Sequence, residues 1–139
     1  MTDVHSKEIR SYNMSKIRGK DTKPEEMVRK YLFSKGLRYR KNDKRYPGHP
    51  DIVLPKYKSV VFVHGCFWHL HENCKYARLP SSNIEFWEKK LNGNKSRDVK
   101  VKSELESEGW AVFTIWECEL KRDKRDKTLQ DLYDKIVNQ

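Results

Sequence analysis

This chain has no stretch approaching the roughly 18 consecutive apolar residues that a membrane span requires, so a transmembrane helix is excluded as an organising feature. Its first residues, MTDVHSKEIRSYNMSKIRGKD, lack the apolar centre of a secretory signal, and a cytoplasmic location is expected. Cysteine is scarce: three residues, an odd number. That count does not suit a disulfide framework in a reducing compartment and leaves metal binding as the better use. Low-complexity tracts, internal repeats and linkers are missing too, so 139 residues read as one domain with a core of its own. Acidic residues are in deficit, 20 against 30 Lys and Arg, for a formal charge of +10. Such an excess favours a polyanionic partner, most often nucleic acid. The alternative is a basic protein without that role.

Residues 1 to 20 carry several cations and little apolar periodicity, and read as a flexible basic arm; residues 21 to 139 read as the folded domain. Thr22 and Glu25 fit a capping box with Pro24 in the opening turn. Met27, Val28, Tyr31 and Leu32 then recur at helical spacing up to Gly36. LRYR predicts a short basic strand. DIVL and SVVFV predict neighbouring strands joined by a tight turn at PKYK. Ser82 and Glu85 suggest a second capping box, followed by a separate helix from about 95 to 108 that stops near Gly109. WAVFTIW reads as a strand, LQDLYDKIVNQ as a last amphipathic helix, and KRDKRDK between them as a solvated turn. This order predicts an α/β domain, a central mixed sheet flanked by helices.

The densest chemistry lies in VVFVHGCFWHLHENC, residues 60 to 74. Cys66, His71 and Cys74 form a C-x4-H-x2-C cluster directly after a strand, and Cys118 follows the WAVFTIW strand. If those strands are neighbours, their ends bring the four residues together as ligands of one structural Zn²⁺, a closed tetrahedral site without an open position. Three unrelated buried cysteines are the alternative. His64 and His69 are left over, since four ligands complete the shell. Asp51 stands at the start of the DIVL strand, after a Gly- and Pro-containing turn. A carboxylate held on a strand end suits Mg²⁺, which takes one or two carboxylates plus phosphate oxygens and water.

Taken with NMSKIRGKDTKPE, YPGHPDIVL, VFVHGCFWHLH, EFWEKKLNGNKSRD and GWAVFTIWECEL, which run in order over roughly residues 5 to 120, the chain resembles the very-short-patch-repair DNA mismatch endonucleases. The resemblance implies a restriction-endonuclease-like fold and a Mg²⁺-dependent hydrolase that nicks the thymine strand at a T·G mismatch in double-stranded DNA, acting as a monomer. It implies Asp51 and the Val63 carbonyl as Mg²⁺ ligands, His69 as general base and Asp98 as its carboxylate partner. Glu25 and His64 would hold metal-bound water or the scissile phosphate. An imidazole titrates near neutral pH and a carboxylate fixes its tautomer, which suits that division of labour. Glu25 also reads as a plain helix cap. In the wider nuclease superfamily marked by Pro-Asp and Glu-x-Lys, the second acid and lysine slots hold Phe62 and His64 here.

Phe67 and Trp68, lying between zinc ligands, and Trp87 are the aromatics expected to touch bases, pushing between steps that a mispair makes easier to open. Trp87 reads alternatively as helix core, in step with Ile84 and Leu91. The resemblance adds Asn13 and Met14 of the arm to the DNA contacts. Lys16, Arg18, Lys95 and Arg97 are expected on phosphates, supplying salt-sensitive affinity. Two further readings remain: a related nicking or restriction-type nuclease without mismatch specificity, and a zinc-stabilised DNA-binding module without catalysis.

Overall fold

The computed structural model describes residues 22–139. The expected arm at 1–20, with Asn13, Met14, Lys16 and Arg18, lies outside the described residues. Apolar, β-branched runs build the sheet: β2 (Ile52–Leu54), β3 (Ser59–His64) and β4 (Ala111–Trp116), with a short β1 (Arg40–Lys41) on one edge. The spatial order is β1-β2-β3-β4. β2 and β3 are antiparallel, joined through a 3-10 turn at Pro55–Tyr57 that Lys58 closes in a left-handed conformation, φ 46°. β3 and β4 are parallel, in register from Ser59 opposite Ala111 to His64 opposite Trp116. A parallel pair needs a long crossover, and helix α2 (Ile84–Ser107) supplies it.

Helices cover both faces, which is why β2 and β3 read as unbroken apolar runs rather than alternating ones. On one face Ile52, Leu54 and Val61 meet Val28 and Leu32 of α1 (Lys23–Ser34) and Leu129, Leu132 and Ile136 of α3 (Arg125–Val137). On the other, Val53, Val60 and Phe62 meet Leu105 of α2, with Val101, Tyr46 and Trp110 packed around them. Leu32, Ile52, Leu54 and Ile136 are wholly buried, each contributing about 1.5–3 kcal/mol by burial.

Two local expectations need correction. α2 is one continuous helix of 24 residues, not a short helix followed by another from about 95. Asn92, Gly93 and Asn94 are poor helix formers, but Leu91 and Leu105 anchor the helix on either side of them, and tertiary packing outweighs local preference. The capping box at Ser82 and Glu85 is also absent: Asn83 opens α2 in a left-handed conformation without a side-chain cap. At α1 half of the expected box forms. Thr22 Oγ1 accepts from the Glu25 N–H at 3.4 Å, but the Glu25 carboxylate turns inward. Residues 121–124 are an exposed turn, and the helix starts within the KRDKRDK run at Arg125.

Candidate active site and metal centre

Because β3 and β4 run parallel, both leave the sheet at the same end, and the segments after them meet there. The segment after β3 folds into a tight loop: the N–H groups of His69, Leu70 and His71 donate to the carbonyls of Gly65, Phe67 and Cys66 at 3.2, 3.3 and 3.0 Å. Leu70 and Asn73 take left-handed conformations, φ 47° and 56°. The turn brings the ligand atoms of Cys66, His71, Cys74 and Cys118 within 4.8 Å of one another. Cys118 Sγ lies 3.4 Å from His71 Nδ1. Three sulfurs and one imidazole nitrogen so arranged fit a closed zinc site. Burial pushes the Cys66 thiol up to about 12, so a metal that takes it as thiolate displaces its proton. Trp116, which the sequence reading passed over, stacks on His71 with centroids 4.0 Å apart and planes 6° from parallel. The available signal was its place at the end of an apolar strand, two residues before Cys118.

His69, in the same loop, faces α2: its Nδ1 lies 2.5 Å from Asp98 Oδ2. The His64 ring stacks on His69 at 3.8 Å. Burial first, and then the neighbouring His69, push His64 down to about 4, against an opposing pull from Asp98. His64 is therefore neutral near pH 7, and its buried Nδ1 has no hydrogen-bond partner. His64, His69, Asp98 and Trp116 line a cavity of about 570 Å³ that continues past Phe62 to Val112.

Asp51 caps the end of β3 from β2, its Oδ2 accepting the Val63 N–H at 2.6 Å. Buried beside it is Glu25, 3 % exposed, whose Oε2 lies 3.4 Å from Nη1 of the buried Arg29. Burial of Asp51 and the proximity of Glu25 raise the Asp51 carboxyl to about 7, although the Val63 N–H works the other way. Two neighbouring acids, one buried and one half-buried, suit a divalent cation, which relieves their repulsion. Asp51 and His69 connect through the chain: Asp51 bonds the amide of Val63, and the next residue, His64, stacks on His69.

Phe67, Trp68 and Trp87 form one aromatic cluster, with centroids 5.1, 5.5 and 5.9 Å apart. Trp87 is packed in that cluster rather than in either apolar core. The exposed Phe86 extends it, edge-on to Trp87. Lys95, expected on phosphate, pairs with Glu72 at 3.0 Å, and Arg97 reaches Asn94 Oδ1 at 3.4 Å. Arg29 and Asn94 went unnoticed in sequence: Arg29 stands one helical turn from Glu25, a local spacing that was available, whereas Asn94 meets the Trp68 carbonyl only through packing.

Residues 2–75 match the family model described as DNA mismatch endonuclease Vsr. The chain belongs to this family. It is 50% identical to the type II nicking enzyme V.NmeAIP of Neisseria meningitidis serogroup A, over 98% of this chain and 100% of that one. It is 47% identical to V.XorIIP of Xanthomonas oryzae, another type II nicking enzyme, over 86% of this chain and 88% of that one. The DNA mismatch endonuclease Vsr of Escherichia coli is 42% identical, over 87% of this chain and 77% of its own length. Among the described residues no helix is long and apolar enough to cross a membrane.

Proposed function

We propose that this Vsr-family protein is a Mg²⁺-dependent endonuclease that nicks the thymine strand at a T·G mismatch in duplex DNA and so starts very short patch repair. The observation that carries the reading is the His69–Asp98 pair, 2.5 Å apart, in the same fold as the half-buried Asp51 and its buried neighbour Glu25. A binding module needs neither. The mixed sheet with helices on both faces fits a restriction-endonuclease-like domain, and the +10 charge fits a DNA substrate.

Asp98 accepts the His69 Nδ1–H, which leaves Nε2 as the basic nitrogen. Nε2 takes the proton of the water that attacks phosphorus, and the Asp98 carboxylate steadies the imidazolium that forms. His64, neutral and pressed against His69, orients the phosphate. Asp51 and the Val63 carbonyl would hold Mg²⁺, with Glu25 behind them; the ion supplies charge stabilisation on the phosphate oxygens. Cys66, His71, Cys74 and Cys118 would hold a structural zinc that braces the loop. Phe67, Trp68 and Trp87 form the wedge that opens the mispaired step.

The test is incubation with Mg²⁺ and matched or T·G-mismatched duplexes, with the cut position mapped on each strand. A single nick beside the mismatched thymine is the expected outcome. Equal nicking of both duplexes would point to a nicking enzyme without mismatch preference. Intact duplexes, though bound, would leave only a binding module. His69→Ala should bind the mismatched duplex yet cut it about 10²- to 10⁴-fold more slowly, and Asp51→Ala should bind it without measurable cutting.

A further inference from the structure

Helix α2 grips the loop after β3 at two consecutive residues. Asn94 Nδ2 donates to the Trp68 carbonyl at 3.0 Å, and Asp98 Oδ2 lies 2.5 Å from His69 Nδ1. Positions 94 and 98 are about one turn apart on a single helix face, about 6 Å along the axis. One face of α2 thus holds both sides of the Trp68–His69 peptide bond. Arg97 Nη1 lies 3.4 Å from the Asn94 carboxamide oxygen, an orientation in which the NH₂ group faces the loop. A third link, Lys95 to Glu72 at 3.0 Å, joins two solvent-exposed side chains and adds little rigidity.

Asparagine is poorly suited to a helix interior, because its side chain competes for backbone groups in non-helical conformations. Here it follows Gly93, where an added Cβ would meet nothing within 4 Å. The stretch therefore weakens α2 locally. What position 94 provides in return is a donor aimed at the loop.

We propose that Asn94 is a positioning residue that ties the wedge residue Trp68 to the general base His69, so that seating the indole on DNA sets the place of the imidazole. This rests on the endonuclease reading above and adds to it a route from mismatch recognition to the rate of cutting. The bond is to the main chain of Trp68, so replacing Asn94 leaves every aromatic ring in the cluster unchanged. Binding should survive the substitution while the geometry of proton transfer suffers, and misplacement of about 1 Å in a reacting group can lower a rate by as much as 10²-fold.

The experiment is a double-mutant cycle on the full-length, zinc-loaded protein: wild type, Asn94→Ala, His69→Ala and the double variant. Each is assayed by single-turnover nicking of the T·G duplex and by equilibrium binding. Asn94→Asp, equal in size but without the donor, serves as a second variant, and zinc content and Tm report folding. The expected result is a fall in the nicking rate of about 10- to 100-fold for Asn94→Ala, with Kd changed less than 3-fold. In the His69→Ala background the same substitution should change the residual rate less than 2-fold, because the group it positions is gone. Nicking at the wild-type rate by both Asn94 variants overturns the proposal. So does an equal proportional loss in the presence and absence of His69, which is the signature of an independent structural role. Failure of the wild-type protein to cut either duplex removes the endonuclease reading, and the coupling with it.

Discussion

The imidazole rings of His64 and His69 lie face to face, 3.8 Å between centroids and 4° from parallel. Two protonated rings cannot share that arrangement cheaply, and Asp98 touches only one of them, at His69 Nδ1. Position therefore separates two chemically identical side chains. His64 is held neutral, with its titration pushed down to about 4, and His69 is the ring with a carboxylate behind it. Divergent environments of this kind are how one residue type comes to serve two roles.

The His69–Asp98 pair should behave as a unit. Asp98→Asn keeps the shape but removes the negative charge and can stabilise the wrong tautomer. The expected effect is a loss of about 10²-fold or more in the nicking rate, with binding of the T·G duplex retained. Single-turnover nicking beside a gel-shift titration measures both.

Asp51 links the site to pH. Its folded-state value, about 7, lies above the ordinary 3.8, so the metal-free fold holds the proton more tightly than the unfolded chain does. Stability from this group is complete below about pH 4 and is lost as pH rises through 7. Asp51→Asn should therefore stabilise the metal-free protein at pH 8, by about 1–3 kcal/mol, and give no such gain at pH 4. The same variant should not nick. Urea unfolding at the two pH values, with chelator present to exclude divalent ions, decides the matter.

The four-residue cluster predicts about one zinc per chain. Removal of the ion should destabilise the fold by several kcal/mol, lowering Tm by about 10 °C or more. It should also stop nicking, because Cys66 and His71 bracket the loop that carries His69. Cys118→Ser should reproduce much of this from a distant part of the sequence. Metal analysis and thermal melts of native, stripped and variant protein are the measurements.

The loop that delivers Asp51 is packed closely on α2. Gly48 has φ +74°, and an added Cβ would lie 2.5 Å from Val101 Cγ1. Gly48→Ala should cost about 1–3 kcal/mol through clash and backbone strain. Adding Val101→Ala should relieve the clash but not the strain, so only part of the loss returns. Thermal unfolding of the two single variants and the double variant tests this.

Much of the fold was legible because its signals are local. Val60 to Val63 are β-branched or aromatic and announce a buried strand, and Thr22 with Pro24 marks the start of α1. The meeting of Cys66, His71, Cys74 and Cys118 was legible for a different reason: few residue types can bind a metal such as zinc, and this chain has few cysteines. The single long α2 was not legible, because Asn92-Gly93-Asn94 looks like a helix break unless Leu91 and Leu105 are known to be buried together. The inward turn of Glu25 was obscured in the same way, its sequence context fitting a cap equally well.

By itself the sequence determined which segments become strands and helices, and which side chains were available for metal, acid–base and DNA chemistry. Those properties follow from residue type and from spacings of two to four positions. Only the tertiary structure decided that His64 would stack on His69 and that Asn94 would bond the backbone of Trp68, and only there does the His69–Asp98 pairing implied by the resemblance gain its geometry across 29 residues. Each of those meetings depends on how α2 crosses from β3 to β4 and packs on the sheet, and no local spacing encodes that geometry.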